Sequence, residues 1–324
     1  MSVPPTTRRK IKFYVLKGYE GHKEMDSNYL RNFLVDLRSN SIRLGKPDKL
    51  LLEYDAGINL YLSDIQDRGN VVLGEIGFLR IKDIPKGFDM RKYVSVNLPL
   101  GENQGILDMT HFAIFDNGVV AYEYFTAAPR PGSLKRYLYK YITDDKCGND
   151  EECRKRIRIL MKQLNYASVL SQLDDVVLVK SVDLRLKGKI PSEIAAAHSS
   201  LSRAIMNALP FLSELGRKIG FTITSGRSRG GIQITVDDIL EFIDEFVEYL
   251  EKFKAHVVVR DGSRKEIDLM ALQIQVEKEI RYETVDGNRN LRTTDRESAY
   301  RALLDAYREL EAQIKEALQS SSNK

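Results

Sequence analysis

The chain has 324 residues, 43% of them hydrophobic and 30% charged, which suits one large domain or two interlocked ones and argues against wholesale disorder. Two cysteines exclude a disulfide-dense secreted scaffold, and together with only four histidines they leave a structural zinc site short of ligands. The net charge of +4 is uneven, with 31 Lys+Arg against 24 Asp+Glu in residues 1–190 and 19 against 22 in residues 191–324, so the first half can present a surface to a polyanion.

Residues 1–7 read as a disordered leader, with no signal peptide and no apolar run long enough to span a membrane. Ile11–Leu16 is β-branched and aromatic and predicts a strand; Asn28–Leu37 carries Leu30, Phe33, Leu34 and Leu37 on one stripe and predicts a short helix. Leu50–Tyr54 and Asn59–Leu62 are apolar but too short to assign. Val71–Ile81 reads as a strand with bulges expected at Gly74 and Gly77. His111–Phe115 and Val119–Phe125 flank Asp116-Asn117-Gly118, whose residues tolerate positive φ, and predict a β-hairpin.

Beyond Pro129 and Pro131 the period changes. Ser133–Ile142 and Glu151–Leu164 read as helices, Asp175–Leu186 as a strand, and Pro191–Leu215 as a long helix divided at Pro210. Short strands are expected at Phe221–Thr224 and Ile232–Thr235. A helix over 237–254, capped by Thr235 or Asp237, has Ile239, Ile243, Phe246, Leu250 and Phe253 in step. Val257–Arg260 and Ile267–Tyr282 read as strands. A last helix over 295–318, capped by Thr294 or Asp295, carries Tyr300, Leu303, Tyr307, Leu310, Ile314 and Ala317. The fold class is therefore α+β, with mixed or antiparallel sheets and long amphipathic helices that include a C-terminal one. The organisation is a mostly-β region at 1–128, a basic helical region with a following strand at 129–190 and an α+β region at 191–324, compatible with one interlocked unit.

No phosphate-binding glycine loop, nucleophile elbow or HExxH is present, and no catalytic or metal-binding set is assigned. His111 and His198 read as satisfied structural residues. Cys147 and Cys153, in CGNDEEC, read as free thiols. The candidate carboxylates for a metal-dependent nuclease are Asp261, Glu266, Asp268 and Glu277; Lys278 directly follows Glu277 and faces the other side of a strand, which spoils a shared site. Magnesium is implied only under that alternative, and otherwise no cofactor is expected.

The strongest interaction signal is basic and aromatic. Arg130, Lys135, Arg136, Lys140, Arg154, Lys155, Arg158 and Lys162 lie in 130–162, with Tyr137 and Tyr141 as candidates for stacking on bases, and Arg227 and Arg229 sit in the loop SGRSRGG. Asp144, Asp145, Asp150, Glu151 and Glu152 can neutralise part of this cluster from within.

The stretch GENQGILDMTHFAIFDNGVVAYEYF (101–125), with KEIDLM (265–270) before a tyrosine-bearing last helix, resembles uncharacterised bacterial proteins, some of them associated with anti-phage defence systems. The resemblance covers well under half the chain and implies a bacterial cytoplasmic protein acting with a partner defence protein on invading DNA or a phage product. It brings no catalytic residues with it. The readings that follow are a non-catalytic nucleic-acid-binding defence component, with DNA favoured over RNA; an adaptor assembling a complex through the helices at 237–254 and 295–318, the stripe of the last helix serving either the monomer's own core or a homodimer contact; and a divergent metal-dependent nuclease.

Overall fold

A computed structural model of the chain describes residues 5–45, 50–55, 57–80, 87–89, 94–96, 105–125, 127–166, 172–187, 201, 205, 218–226, 233–246, 250–285 and 288–322. Two compact units divide it: Met1–Lys162 with Gln275–Glu311, and Gln163–Ile274 with Ala312–Lys324. The second unit interrupts the first in sequence. The basic region at 129–190 is accordingly shared between them.

In chain order come β1 (Thr6–Glu20), β2 (Lys23–Met25), α1 (Ser27–Arg43), β3 (Leu51–Asp55), β4 (Ile58–Asp67) and β5 (Val71–Arg80). A ribbon of β6 (Gly87–Asp89) and β7 (Val94–Val96) precedes the hairpin β8 (Ile106–Phe115) and β9 (Val119–Tyr124), then α2 (Pro131–Cys147), α3 (Glu151–Arg156) and β10 (Ile157–Gln163). The second unit carries β11 (Val176–Lys187), β12 (Lys218–Thr224), α4 (Val236–Phe246), β13 (Leu250–Val259), β14 (Arg264–Asp268) and a 3-10 turn at Leu269–Leu272. The chain closes with β15 (Gln275–Val285), β16 (Asn288–Thr294), α5 (Arg296–Glu309) and α6 (Glu311–Ser322). No helix among the described residues is long and apolar enough to cross a membrane.

The first unit is built on a sheet of order β16-β15-β1-β9-β8-β5-β4-β3, with β2 and β10 also pairing with β1. The pairings with β15, β2 and β9 are antiparallel. Strand alternation sends Tyr14, Phe112, Ile114, Val120 and Tyr122 to one face, where they pack with Leu30 and Leu34 of α1 and Leu134, Tyr137 and Leu138 of α2. The opposite face is covered by α5, which lies against β15, β8 and β9 and buries Ala299, Tyr300, Leu303 and Ala306. Asp295 caps α5, its carboxylate accepting from Ser298 N at 3.1 Å.

The expected hairpin is present. Gly118 has φ +76°, and a Cβ there would stand 3.2 Å from the Leu16 carbonyl oxygen. Gly118→Ala is therefore expected to destabilise the first unit by about 1–2 kcal/mol through the left-handed backbone alone. Urea midpoints of the two proteins measure this, and an unchanged midpoint would contradict it.

Gly74 and Gly77 are not bulges: β5 pairs with β8 without a register shift from Val71↔Phe115 to Arg80↔Ile106. Gly74 instead makes room for Phe112, whose Cζ would lie 2.3 Å from an added Cβ. Of the expected leader, Thr6 and Thr7 already pair with Arg281 and Ile280. The two short apolar runs left unassigned form β3 and β4.

Two expected helices end early. The one over Glu151–Leu164 lasts only through Arg156, after which β10 buries Ile157 and Ile159 by alternation. The one over 237–254 stops at Phe246, and Leu250 opens β13, where Phe253, Ala255, Val257 and Val259 alternate inward against β11. Thr235 caps α4 reciprocally with Asp238: its Oγ1 accepts from Asp238 N at 3.1 Å and Asp238 accepts from Thr235 N at 2.9 Å. The second unit's sheet, β12-β11-β13-β14, is antiparallel and packs one face on Ile239, Phe242, Ile243 and Phe246 of α4. Gln233–Thr235 is not a strand. Of the helix expected over Pro191–Leu215, only Leu201 and Ile205 are described; both are helical and buried in this core. The final helix is a pair, α5 and α6, broken at Leu310.

Cys147 and Cys153 form a disulfide rather than free thiols. Gly148, at φ +54°, turns the chain after α2, and Asp150 caps α3 with bonds from Glu152 N and Cys153 N. This brings the two Cα atoms to 5.5 Å, inside the span a disulfide bridges.

Candidate functional site

The most concentrated ionisable cluster lies in the first unit, on the sheet face under α5. Glu75 and His111 are direct cross-strand partners on β5 and β8. The β8–β9 register, Phe112 opposite Tyr122, sets His111 beside Glu123. The register of β4 shifts between Leu62 and Asp64, so that Ser63 and Asp64 both crowd Glu75. Glu75, His111 and Glu123 are each less than 5% exposed, at 4%, 2% and 2%.

Both ring nitrogens of His111 and the Glu75 carboxylate are hydrogen-bonded. His111 Nδ1 lies 2.5 Å from Glu123 Oε2, and Nε2 lies 3.1 Å from Glu75 Oε1. Glu75 also accepts from Ser63 Oγ at 2.6 Å and from Arg296 Nε, on α5, at 2.7 Å. Arg9, on β1, stands 3.3 Å from Glu123 Oε1 with its guanidinium 4.0 Å above the Phe125 ring. Tyr300 donates to Asp64 Oδ2 at 3.2 Å, and its ring meets His111 edge-on at 5.8 Å. Three carboxylates (Asp64, Glu75, Glu123) thus face three cations (Arg9, His111, Arg296), which balances the cluster electrically.

Burial opposes a charge on His111, but the hydrogen bonds and fields of Glu123 and Glu75 outweigh it and raise its pKa to about 9. Burial likewise opposes ionisation of Glu75, and its bonds from His111, Arg296 and Ser63 reverse this, lowering its pKa to about 2. Burial, with the nearby carboxylates, pushes the Tyr300 phenol up. A doubly bonded imidazolium has no lone pair to take a proton from a substrate. The arrangement is a clamp between α5 and the sheet, reinforced by Tyr307 stacked on Phe115 at 3.7 Å and bonded from Asn117. His111 was expected as a structural residue; its partners Arg9, Asp64, Glu75, Glu123 and Arg296 were missed. Their only sequence signal is a charge at an inward strand position, as in VVLGEIGF and VVAYEYF.

The predicted basic residues are dispersed. Arg130 sits at the N-cap of α2, half-buried, and Lys135 is exposed on that helix. The Arg136 guanidinium lies 5.0 Å over the Tyr54 ring. Lys140 and Arg154 both bind Asp144, and Lys155 pairs with Glu152 at 2.6 Å. Tyr137 is fully buried, its hydroxyl donating to the Leu50 carbonyl, which corrects its assignment as a stacking surface. Tyr141 is half-buried and donates to the Leu51 carbonyl at 2.7 Å. Arg158, on β10, donates to the Gly21 carbonyl at 3.2 Å and lies 5.3 Å over Tyr19; Lys162 is exposed at the end of β10. Arg156, in the same basic run, donates to the Glu152 carbonyl at 3.4 Å. Arg227 and Arg229 lie outside the described residues.

The candidate carboxylates have local duties. Asp261 accepts from Ser263 N at 2.7 Å, Glu266 pairs with Lys254 at 2.5 Å, and Asp268 caps the 3-10 turn. Glu277 belongs to the first unit, opposite Lys10 on β1. On the solvent face of the second unit's sheet, His256 Nε2 is 3.2 Å from Asp183 Oδ2, and Asp183 accepts from Thr222 at 2.8 Å. That bond from Thr222, then the one with His256, holds the Asp183 carboxyl below its usual range. Among the described residues no group of three or more His, Cys, Asp or Glu is arranged to hold a metal ion. The apolar stripes expected to serve an adaptor are used inside the units: the 237–254 stripe in the second core and that of α5 on the sheet. Compared with known proteins, the sequence matches no family model and no curated protein.

Proposed function

We propose that the chain is a non-catalytic nucleic-acid-binding protein that contacts phosphate through the edge formed by the β1–β2 turn, α3 and β10. The carrying observation is how the cations there are held. Arg156 and Arg158 are exposed and donate to backbone carbonyls, which orient a guanidinium without neutralising it; the carboxylate whose field Arg156 and Lys23 share, Glu20, is hydrogen-bonded to Lys146 at 2.8 Å. Gly21 N bonds to the Arg156 carbonyl at 2.8 Å, so the turn that leads into Lys23 is fastened to the end of α3. Lys140, Arg154 and Lys155, by contrast, are matched by carboxylates. The proposal extends to DNA over RNA, a cytoplasmic setting, a partner defence protein and possession of a role in bacterial antiviral defence, all supported by the resemblance at 101–125. In a reducing cytoplasm the Cys147–Cys153 bond would be redox-sensitive.

Fluorescence anisotropy with labelled single- and double-stranded DNA and RNA across a salt series tests this. Three phosphate contacts give a log–log slope of about −2 to −3. Lys23→Glu with Arg156→Glu and Arg158→Glu should weaken binding at least about tenfold and flatten that slope. Absence of binding at low salt, or equal binding by the triple variant, rejects the reading.

A further inference from the structure

We infer that the cleft between α1 and α2 is a binding site for a small amphipathic amine, an apolar body ending in an ammonium group. The inference is independent of the nucleic-acid reading. The cleft has a volume of about 860 Å³, within the range of small-molecule sites. Its walls are the half-buried faces of Tyr29, Phe33, Leu37 and Tyr141, which pack on the first unit's core from below and leave aromatic surface above. Leu44, 53% exposed, extends the apolar wall.

The polar groups select the head of the ligand. Asp144 is held by Lys140 and Arg154, and Arg43 donates to Asn40 at 3.2 Å. Asp36 and Asp145 also line the cleft and are exposed; neither makes an ion pair within 4 Å among the described residues, and Asp145 shares the field of Lys146, which is bonded to Glu20. An independent observation comes from Ser41. This residue is 1% exposed and lines the cleft, yet its Oγ has no hydrogen-bond partner. A buried hydroxyl without a partner is costly; the atom is sealed from solvent, and a ligand whose donor or acceptor displaces the side chains over it relieves that cost. Lys146 already lies 5.1 Å over the Tyr29 ring and Arg43 also lines the cleft, so the cation-favouring surface left to a ligand is that of Phe33 and Tyr141 beside Asp36 and Asp145; with the orphan hydroxyl, these fit an ammonium compound with an apolar body.

The test uses the full chain and three probes with one body and different heads: 4-phenylbutylamine, 4-phenylbutan-1-ol and 4-phenylbutyrate, followed by saturation-transfer NMR and calorimetry. The amine should bind about fivefold more tightly than the alcohol, the factor one exposed ion pair supplies, and the carboxylate least of all. Asp36→Asn with Asp145→Asn, both at exposed positions, should abolish the preference for the amine while leaving the alcohol's affinity unchanged. Ser41→Ala should weaken amine and alcohol alike. The inference is overturned by equal binding of the three probes, by no binding at millimolar concentration, or by a double variant that keeps the preference.

Discussion

His111→Ala should be the most damaging single substitution in the first unit, lowering its stability by about 3–5 kcal/mol. The reason is the pair of carboxylates it would strand. Glu75 and Glu123 are 4% and 2% exposed, and both lean on the imidazolium. Removing it leaves two buried like charges, one of which must take up a proton or water must enter. Arg296 softens the loss at Glu75 and Arg9 at Glu123, but neither lies between them. At about 2–4 °C per kcal/mol for a unit of this size, the transition should fall by about 6–20 °C. Arg296→Ala should cost less, because that side chain is 50% exposed and water replaces part of what it loses. Differential scanning calorimetry of the two variants decides; a His111→Ala shift under about 2 °C, or one smaller than that of Arg296→Ala, would show that the cluster does not clamp α5.

The same cluster should give the protein a stability maximum in mildly acidic solution. His111 has a folded pKa of about 9 against an ordinary 6.5, so its contribution is fully present below about pH 6.5 and is lost as pH rises through 9. Glu75 has a folded pKa of about 2 against an ordinary 4.5, so its contribution is present above about pH 4.5 and is lost as pH falls towards 2. Both are complete only between about pH 4.5 and 6.5. The alkaline limb is the larger test, since 2–3 pH units of linkage amount to about 3 kcal/mol. The two limbs report one shared interaction and do not add. Urea midpoints at pH 5.5, 7.5 and 9 should fall in that order, and His111→Ala should flatten the decline. A wild-type midpoint constant or rising from pH 6.5 to 9 would refute the charged imidazole.

The edge proposed to contact phosphate divides along a similar line. A run of basic residues at 154–158 is visible in the sequence, but which of them retain an unmatched charge is not. Arg154 is matched because Gly148 and the disulfide fold α3 back over Asp144; Arg156 and Arg158 make no direct ion pair with that carboxylate because the chain leaves the helix there and becomes a strand, and Arg156 feels the field of Glu20, which Lys146 already binds. The helical face that would join Arg154 to Arg158 does not exist.

Local chemistry settles what a few neighbouring residues can decide between them. Asp116-Asn117-Gly118 makes its own reversal, Asp295 makes its own cap, and the Asn28–Leu37 stripe makes a helix, because each signal acts within a turn or two of chain. Apolar spacing alone does not choose between periods. Ile239, Ile243, Phe246, Leu250 and Phe253 fit one helix, yet Leu250 and Phe253 belong to β13 because β11 offers them a ladder of hydrogen bonds. The buried cluster is further from view still. Arg9, Asp64, Glu75, His111, Glu123 and Arg296 come from six elements, and each reads singly as an ordinary polar residue. Sheet register and the docking of α5 bring them within hydrogen-bonding distance, and the cost of burying a charge without a partner then makes each depend on the others.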